Sequence, residues 1–332
     1  MRAMLSENPG GPETLRLAEV AVPEPVPGEV RVKVRAVGVN FPDVLIIEDR
    51  YQVKPPRPFA PGAEFAGVID AVGDGVTEFA PGDRVMALPM FGALAEKVCV
   101  AVERCHRLND DISFEQAAAL QMTYGTALYG LDDRGDLAEG ETLLVLGAAG
   151  GVGLAAVELG KALGAWVVAA TSSQAKLDVA MAHGASAGVV YPTGGLDREA
   201  QKLLADQFKD ACGEDGADVV FDIVGGDYTE PALRAIAWLG RLMVIGFPAG
   251  IAKIPANLPL LKSCDIRGVF WGAAIRLDMA AHHAAMDRLL DMIGDGRISP
   301  RIHASYPLER AGDAIAALSS RSVVGKVIVT VD

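Results

Sequence analysis

The chain has 332 residues, 51% of them hydrophobic and 22% charged, which is ordinary globular composition and long enough for two domains. Forty-three Asp and Glu against 30 Lys and Arg give a formal charge of −13, so nucleic acid and anionic membrane surfaces would be repelled. No window approaches the ~18 uninterrupted apolar residues of a membrane span.

Met1 to Gly10 lacks the basic start and apolar stretch of a secretion signal. The first third then reads as β-rich. Val30, Val32, Val34 and Ala36 alternate with Arg31, Lys33 and Arg35, the period-two signature of a strand with one wet face. Pro27-Gly28, Pro61-Gly62 and Pro81-Gly82-Asp83 punctuate the region as turns. Between them fit short strands at 64–72, 84–88 and 96–100, spaced as in a compact barrel. Ser113 starts a helix as its N-cap, with Gln116 three residues on.

From Thr142 the pattern becomes strand, turn, helix, repeated. Strands are expected at 142–146, 166–170, 187–191, 219–223 and 241–245, and helices at 152–163, 175–183, 197–212 and 228–237. Such alternation builds a parallel sheet covered on both faces. Regularity weakens beyond Ile254, and the chain closes with a helix over 310–318 and a strand over 326–331. The expected division is 1–122, 123–258 and 259–332, the last segment returning to the first domain. The four cysteines, Cys99, Cys105, Cys212 and Cys264, form no C-x-x-C pair, which fits reduced thiols in a cytoplasm.

The first parallel strand runs into Gly147-Ala148-Ala149-Gly150-Gly151-Val152-Gly153 and then an apolar helix. A dinucleotide fingerprint needs a tight turn, a glycine where backbone meets pyrophosphate, and a glycine where helix packs on strand. Gly150 and Gly153 suit the last two roles, with Ala148 in place of the first glycine. The amides of Ala149 to Gly153 at the helix start would face the phosphates. NAD-selective sites place a carboxylate about 20 residues downstream, on the ribose hydroxyls. Here the second strand ends in Thr171-Ser172-Ser173, with Lys176 one turn later. Hydroxyls and an ammonium suit a 2′-phosphate, so the residues favour NADPH. A solvated helix lysine is the plainer alternative for Lys176.

With these pieces in place the chain resembles the zinc-independent quinone oxidoreductase branch of the medium-chain dehydrogenase/reductase superfamily. The motifs are Gly38-Val39-Asn40-Phe41-Pro42-Asp43, Pro61-Gly62-Ala63-Glu64-Phe65-Ala66-Gly67, Phe79-Ala80-Pro81-Gly82-Asp83-Arg84-Val85, Thr123-Tyr124-Gly125-Thr126-Ala127 and Ala148 to Gly153. The resemblance implies an α/β fold, a doubly wound Rossmann sheet inserted into a GroES-like β-barrel domain. It also implies a homodimer, with Thr126, Tyr191, Gly246, Phe247, Arg321 and Lys326 lining the NADPH groove. Val269, Phe270 and Trp271 fall near the nicotinamide or the dimer edge, or in apolar core. Arg321 and Lys326 read equally as surface charges.

Zinc-dependent relatives carry an early cysteine and a Gly-His-Glu triplet; this chain has Asn40 and Ala63 there, with only Glu64 kept. Catalytic zinc needs about three protein ligands, so no metal is expected. Polarising an acceptor then falls to hydrogen bonds. Asn40 can donate from its amide and Tyr51 from its phenol, while Asp43 lies in the same loop. A turn role suits Asn40 and Asp43 as well, and Tyr51 also reads as an exposed loop aromatic. The implied reaction is NADPH-dependent reduction of a small-molecule quinone. Reduction of an enone or short enoyl-CoA, or NADPH binding without catalysis, are the alternatives.

Overall fold

A computed structural model describes every residue except 321. The chain forms two compact units. One comprises Met1–Met122, Met286–Asp295 and Ser299–Asp332, the other Thr123–Ala285 and Gly296–Ile298. The return to the first unit thus comes near residue 286, not at 259. The reason is a sixth parallel strand, Asp265–Gly268, paired with Ile236–Val244. That strand is mostly exposed and polar, so it carries no apolar signal.

The first unit is built on a seven-stranded sheet. Its order is Ile302–Pro307, Lys326–Thr330, Glu29–Val39, Glu64–Val72, Arg84–Ala87 and Cys105–Arg107, with Lys97–Ala101 pairing to Glu29–Val39. The long strand Glu29–Val39 organises the unit. Along one edge it pairs Lys97–Ala101 through its first half and Lys326–Thr330 through its second. Both chain ends therefore build this sheet. Val30, Val32, Val34 and Ala36 are fully buried, as alternation demands. Burial becomes continuous at Val37 to Val39, where an added Cβ on Gly38 would lie 2.0 Å from the carbonyl oxygen of Ala118. Only glycine fits that approach.

The second unit holds a six-stranded sheet, all parallel, ordered Ala187–Val190, Trp166–Thr171, Thr142–Leu146, Ala217–Asp222, Ile236–Val244 and Asp265–Gly268. Strand order reverses between Thr142–Leu146 and Ala217–Asp222, the place where open parallel sheets bind ligands at their carboxyl ends. The helix expected over 228–237 is shorter, Thr229–Arg234, because Ile236 already pairs with Ala217. Residues between Ile236 and Arg241 bulge out of register, with Leu239 at φ 61°.

Candidate active site

In the second unit, Leu143 to Leu146 are fully buried, and the strand leaves the sheet through Gly147 at φ +73°. This left-handed residue makes the tight turn, so the glycine expected one position on was sought in the wrong place. Gly147 and Ala148 both donate their N–H to the carbonyl of Ala170, at 3.0 and 3.1 Å. Gly150 caps the helix Gly151–Ala162 and its carbonyl accepts from Leu154 at 2.8 Å. The amides of Gly151, Val152 and Gly153 precede the first intrahelical bond and point outward along the axis. No acidic residue lies in that turn. A Cβ on Gly153 would lie 2.1 Å from the Gly147 carbonyl oxygen, so helix and strand meet there backbone to backbone. A Cβ on Gly150 would meet nothing closer than 3.6 Å, and the residue is exposed. The turn therefore offers open, positively polarised backbone, a fit for a pyrophosphate.

The neighbouring strand Trp166–Thr171 ends in half-buried Ser172 and Ser173. Ser173 caps the helix Gln174–Ala182, its hydroxyl accepting from Lys176 N at 3.4 Å. The Lys176 ammonium donates to the Ser172 hydroxyl at 3.1 Å. The ammonium is thus folded back onto the strand end. Across the switch point, the Asp222 carboxylate accepts from Val224 N and Gly225 N, both at 2.9 Å, and from the Thr229 hydroxyl at 2.5 Å. Burial raises its pKa, against those hydrogen bonds. Asp222 was missed from sequence, although Asp before Gly225-Gly226 is a turn signal. Ile245 N and Ala249 N bond back to Asp222 O and Val224 O, each at 3.0 Å, which ties the loop holding Gly246 and Phe247 to this edge.

Other expected contacts in this unit are distributed unevenly. Thr126 is half-buried and opens the helix Thr126–Leu131, directly after the π-helical stretch Gln121–Gly125. Phe247 and Phe270 are exposed, at 56% and 59%. Tyr191 is instead buried, its ring 5.0 Å from that of Tyr228, and burial pushes its phenol up to about 12. Its ring packs against the core at the end of the third strand. Arg321 lies outside the described residues.

In the first unit a polar cluster is sealed into the sheet. Lys326 is 4% exposed, Glu64 fully buried and Asn40 7% exposed. The Lys326 ammonium donates to Asn40 Oδ1 at 2.6 Å and to Glu64. Asn40 Nδ2 donates to Glu64 at 2.8 Å and to the Gly38 carbonyl at 3.1 Å. The second Glu64 oxygen accepts from Met122 N at 2.9 Å. Two expectations change on this geometry. Both amide hydrogens of Asn40 are engaged internally, so its side chain organises the cluster instead of donating to an acceptor. Lys326 points inward to a carboxylate rather than outward to a phosphate.

Asp43 closes the loop that leads to Tyr51. Its two oxygens accept from Asn40 N at 2.7 Å and Gly62 N at 3.0 Å, so one carboxylate clamps both ends of residues 40–62. Burial raises its pKa to about 6, opposed by those two hydrogen bonds and the charge of Lys326. Tyr51 is half-buried against the core, and burial together with the Asp43 charge raises its phenol. The donor set does not fit zinc. Of the expected ligand positions only Glu64 carries a metal-binding group, and its charge is matched by an ammonium that would repel a divalent cation.

Two family models match the chain: an alcohol dehydrogenase GroES-like domain over residues 26–135 and a zinc-binding dehydrogenase over 151–293. The chain is 38% identical over 321 residues to quinone oxidoreductase-like protein 2 of Rattus norvegicus, covering 96% of this chain and 89% of that protein. It is 31% identical to the human synaptic vesicle membrane protein VAT-1 homolog, covering 99% and 86%. Among solved structures it resembles Escherichia coli quinone oxidoreductase complexed with NADPH, with a TM-score of 0.89, 28% identity, and 99% and 100% coverage. The zinc in the second model's description has no counterpart in this chain's residues at the ligand positions. The protein is an oxidoreductase of the medium-chain dehydrogenase/reductase superfamily, in its quinone oxidoreductase branch.

Proposed function

We propose that the protein reduces quinones, or similar electron-poor small molecules, with NADPH and without zinc. The observation that carries this reading is the end of the strand Trp166–Thr171. There the Lys176 ammonium and Ser172 hydroxyl sit 3.1 Å apart, where an NAD site would place a carboxylate. A 2′-phosphate has oxygens for both donors. The open amides of Gly151 to Gly153 would hold the pyrophosphate, and Thr126, Gly246, Phe247 and Phe270 complete the contacts we assign. When bound, the dihydronicotinamide supplies a hydride.

The chain's own chemistry is then a matter of holding and protonating. Asp43 and the Asn40–Glu64–Lys326 cluster keep the 40–62 loop in place. Tyr51, whose raised phenol remains protonated at neutral pH, is the donor to the reduced acceptor. The same feature favours a second reading, reduction of an enone or enoyl-CoA double bond, because a carbanion-like carbon needs a proton that a quinone can take from water.

We extend the reading to a homodimer through the sheet edge Asp265–Gly268. Around that part of the second unit Leu260, Leu261 and Trp238 are 78%, 66% and 64% exposed. Four free thiols fit a reducing compartment such as the cytoplasm; among the described residues no helix is long and apolar enough to cross a membrane. The test is consumption of reduced nicotinamide with quinones, enones and acryloyl-CoA in turn. Turnover of quinones with NADPH over NADH is expected. Turnover of acryloyl-CoA alone selects the second reading, and no turnover on any acceptor rejects both.

A further inference from the structure

A buried carboxylate that the reaction does not use lies halfway along the pyrophosphate helix. Glu158 is 5% exposed. One of its oxygens accepts from the Tyr124 hydroxyl at 2.6 Å, and the other pairs with Nδ1 of His183. Burial and the Glu158 charge hold the Tyr124 phenol well above its usual value, so it stays a donor. Nδ1–H donates to a carboxylate in both the cationic ring and the matching neutral tautomer.

These partners sit on the segments already assigned to the cofactor. Tyr124 belongs to the stretch that leads into Thr126. His183 is the C-cap of Gln174–Ala182, the helix whose other end holds Ser173 and Lys176. Glu158 itself belongs to the helix that starts at the glycine turn. One carboxylate thus joins all three.

The helix Gln174–Ala182 has particular need of such a tie. Only Leu177 and Ala180 are buried on it, a small apolar footprint that fixes its rotation weakly. Its N-terminal end is held locally, by the Thr171 hydroxyl on Ser173 O at 3.1 Å and by Lys176 on Ser172. Its C-terminal end packs closely on the pyrophosphate helix, since a Cβ on Gly184 would lie 2.3 Å from Lys161 Cδ. That contact is with the movable end of a lysine. The His183–Glu158 bond supplies direction. Recognition groups need placement within roughly 0.5 Å and 10–20°.

We infer that Glu158, acting through His183, is a positioning residue that sets the orientation of the Gln174–Ala182 helix and with it the preference for a 2′-phosphorylated coenzyme. The inference rests on the NADPH reading above. His183 is at the rim, with a side chain 19% exposed, so His183→Ala removes the tie without opening the core. The variant is expected to raise KM for NADPH by about tenfold, the weight of one charge-assisted hydrogen bond. KM for NADH and kcat at saturating coenzyme stay unchanged. His183→Asn, which returns an N–H donor near the Nδ1 position, restores most of the preference. Glu158→Gln shifts the preference in the same direction and serves if the alanine variant folds poorly. Equal losses for both coenzymes, an unchanged NADPH-to-NADH ratio, or no rescue by asparagine overturns the inference. A wild-type protein without any preference for NADPH overturns the functional reading itself.

Discussion

Replacing Lys326 with methionine probes the buried cluster that stands where metal-dependent relatives hold zinc. Methionine keeps the length and apolar stem of the side chain and removes the charge. Glu64 would then be a fully buried carboxylate with two hydrogen bonds, from Asn40 at 2.8 Å and Met122 N at 2.9 Å, and no counter-charge. Asn40 Oδ1 would lose its donor as well. Breaking a buried pair by deleting one partner costs roughly 3–5 kcal/mol, most of it the stranded charge. Adding Glu64→Gln removes the stranded charge and should recover more than half of the loss. The assay is hydrogen exchange of backbone amides in Glu29–Val39 and Lys326–Thr330 as denaturant is raised, which reports on this sheet separately from the second unit. A single variant within about 0.5 kcal/mol of wild type, or a double variant no better than the single, would refute the reasoning.

Three further outcomes follow from the same geometry. Asp43 titrates at about 6 against an ordinary 3.8. Protonation there takes up an oxygen that clamps the Tyr51 loop, so kcat/KM should fall below about pH 6, and Asp43→Asn should flatten that limb of the profile. Because the folded value is raised, the stability linked to Asp43 is full below pH 3.8 and is lost as pH rises through about 6, opposite in sign to the activity. Gly153→Ala drives a Cβ into the Gly147 carbonyl at 2.1 Å and should cost about 1–3 kcal/mol in thermal unfolding. Gly150→Ala, with open space around it, should weaken coenzyme binding at nearly unchanged Tm; matched behaviour of the two variants would dispose of the separate roles given to them. Lys176→Glu should raise the NADPH Kd by at least about tenfold while leaving NADH nearly untouched, and equal losses would remove the 2′-phosphate assignment.

The fold was legible where periodicity and punctuation coincide. Val30 to Ala36 alternate and are buried in alternation, and Ser113 with Gln116 forms the expected reciprocal cap. Thr142–Leu146 begins and ends as its apolar run requires. Asp265–Gly268 was not legible, because a polar edge strand has no apolar face to betray it. At the candidate site, composition located the glycine turn and the carboxylate-free strand end but gave no direction to side chains. Lys326 looked like a lysine beside a glycine. Its partner Glu64 lies 262 positions away, and the two meet because Lys326–Thr330 and Glu64–Val72 both pair with Glu29–Val39. Glu158 sits among apolar neighbours, where sequence shows a charged residue without its partners Tyr124 and His183.

On the proposed function, the segment from Thr142 through the glycine turn, together with Ser172 and Lys176, holds a 2′-phosphorylated dinucleotide. Calorimetric titration of the purified wild-type protein with NADPH and NADH tests it most directly. Saturable binding of NADPH, tighter than that of NADH by about tenfold or more, is the predicted result. No saturable binding of either coenzyme, or tighter binding of NADH, would contradict it.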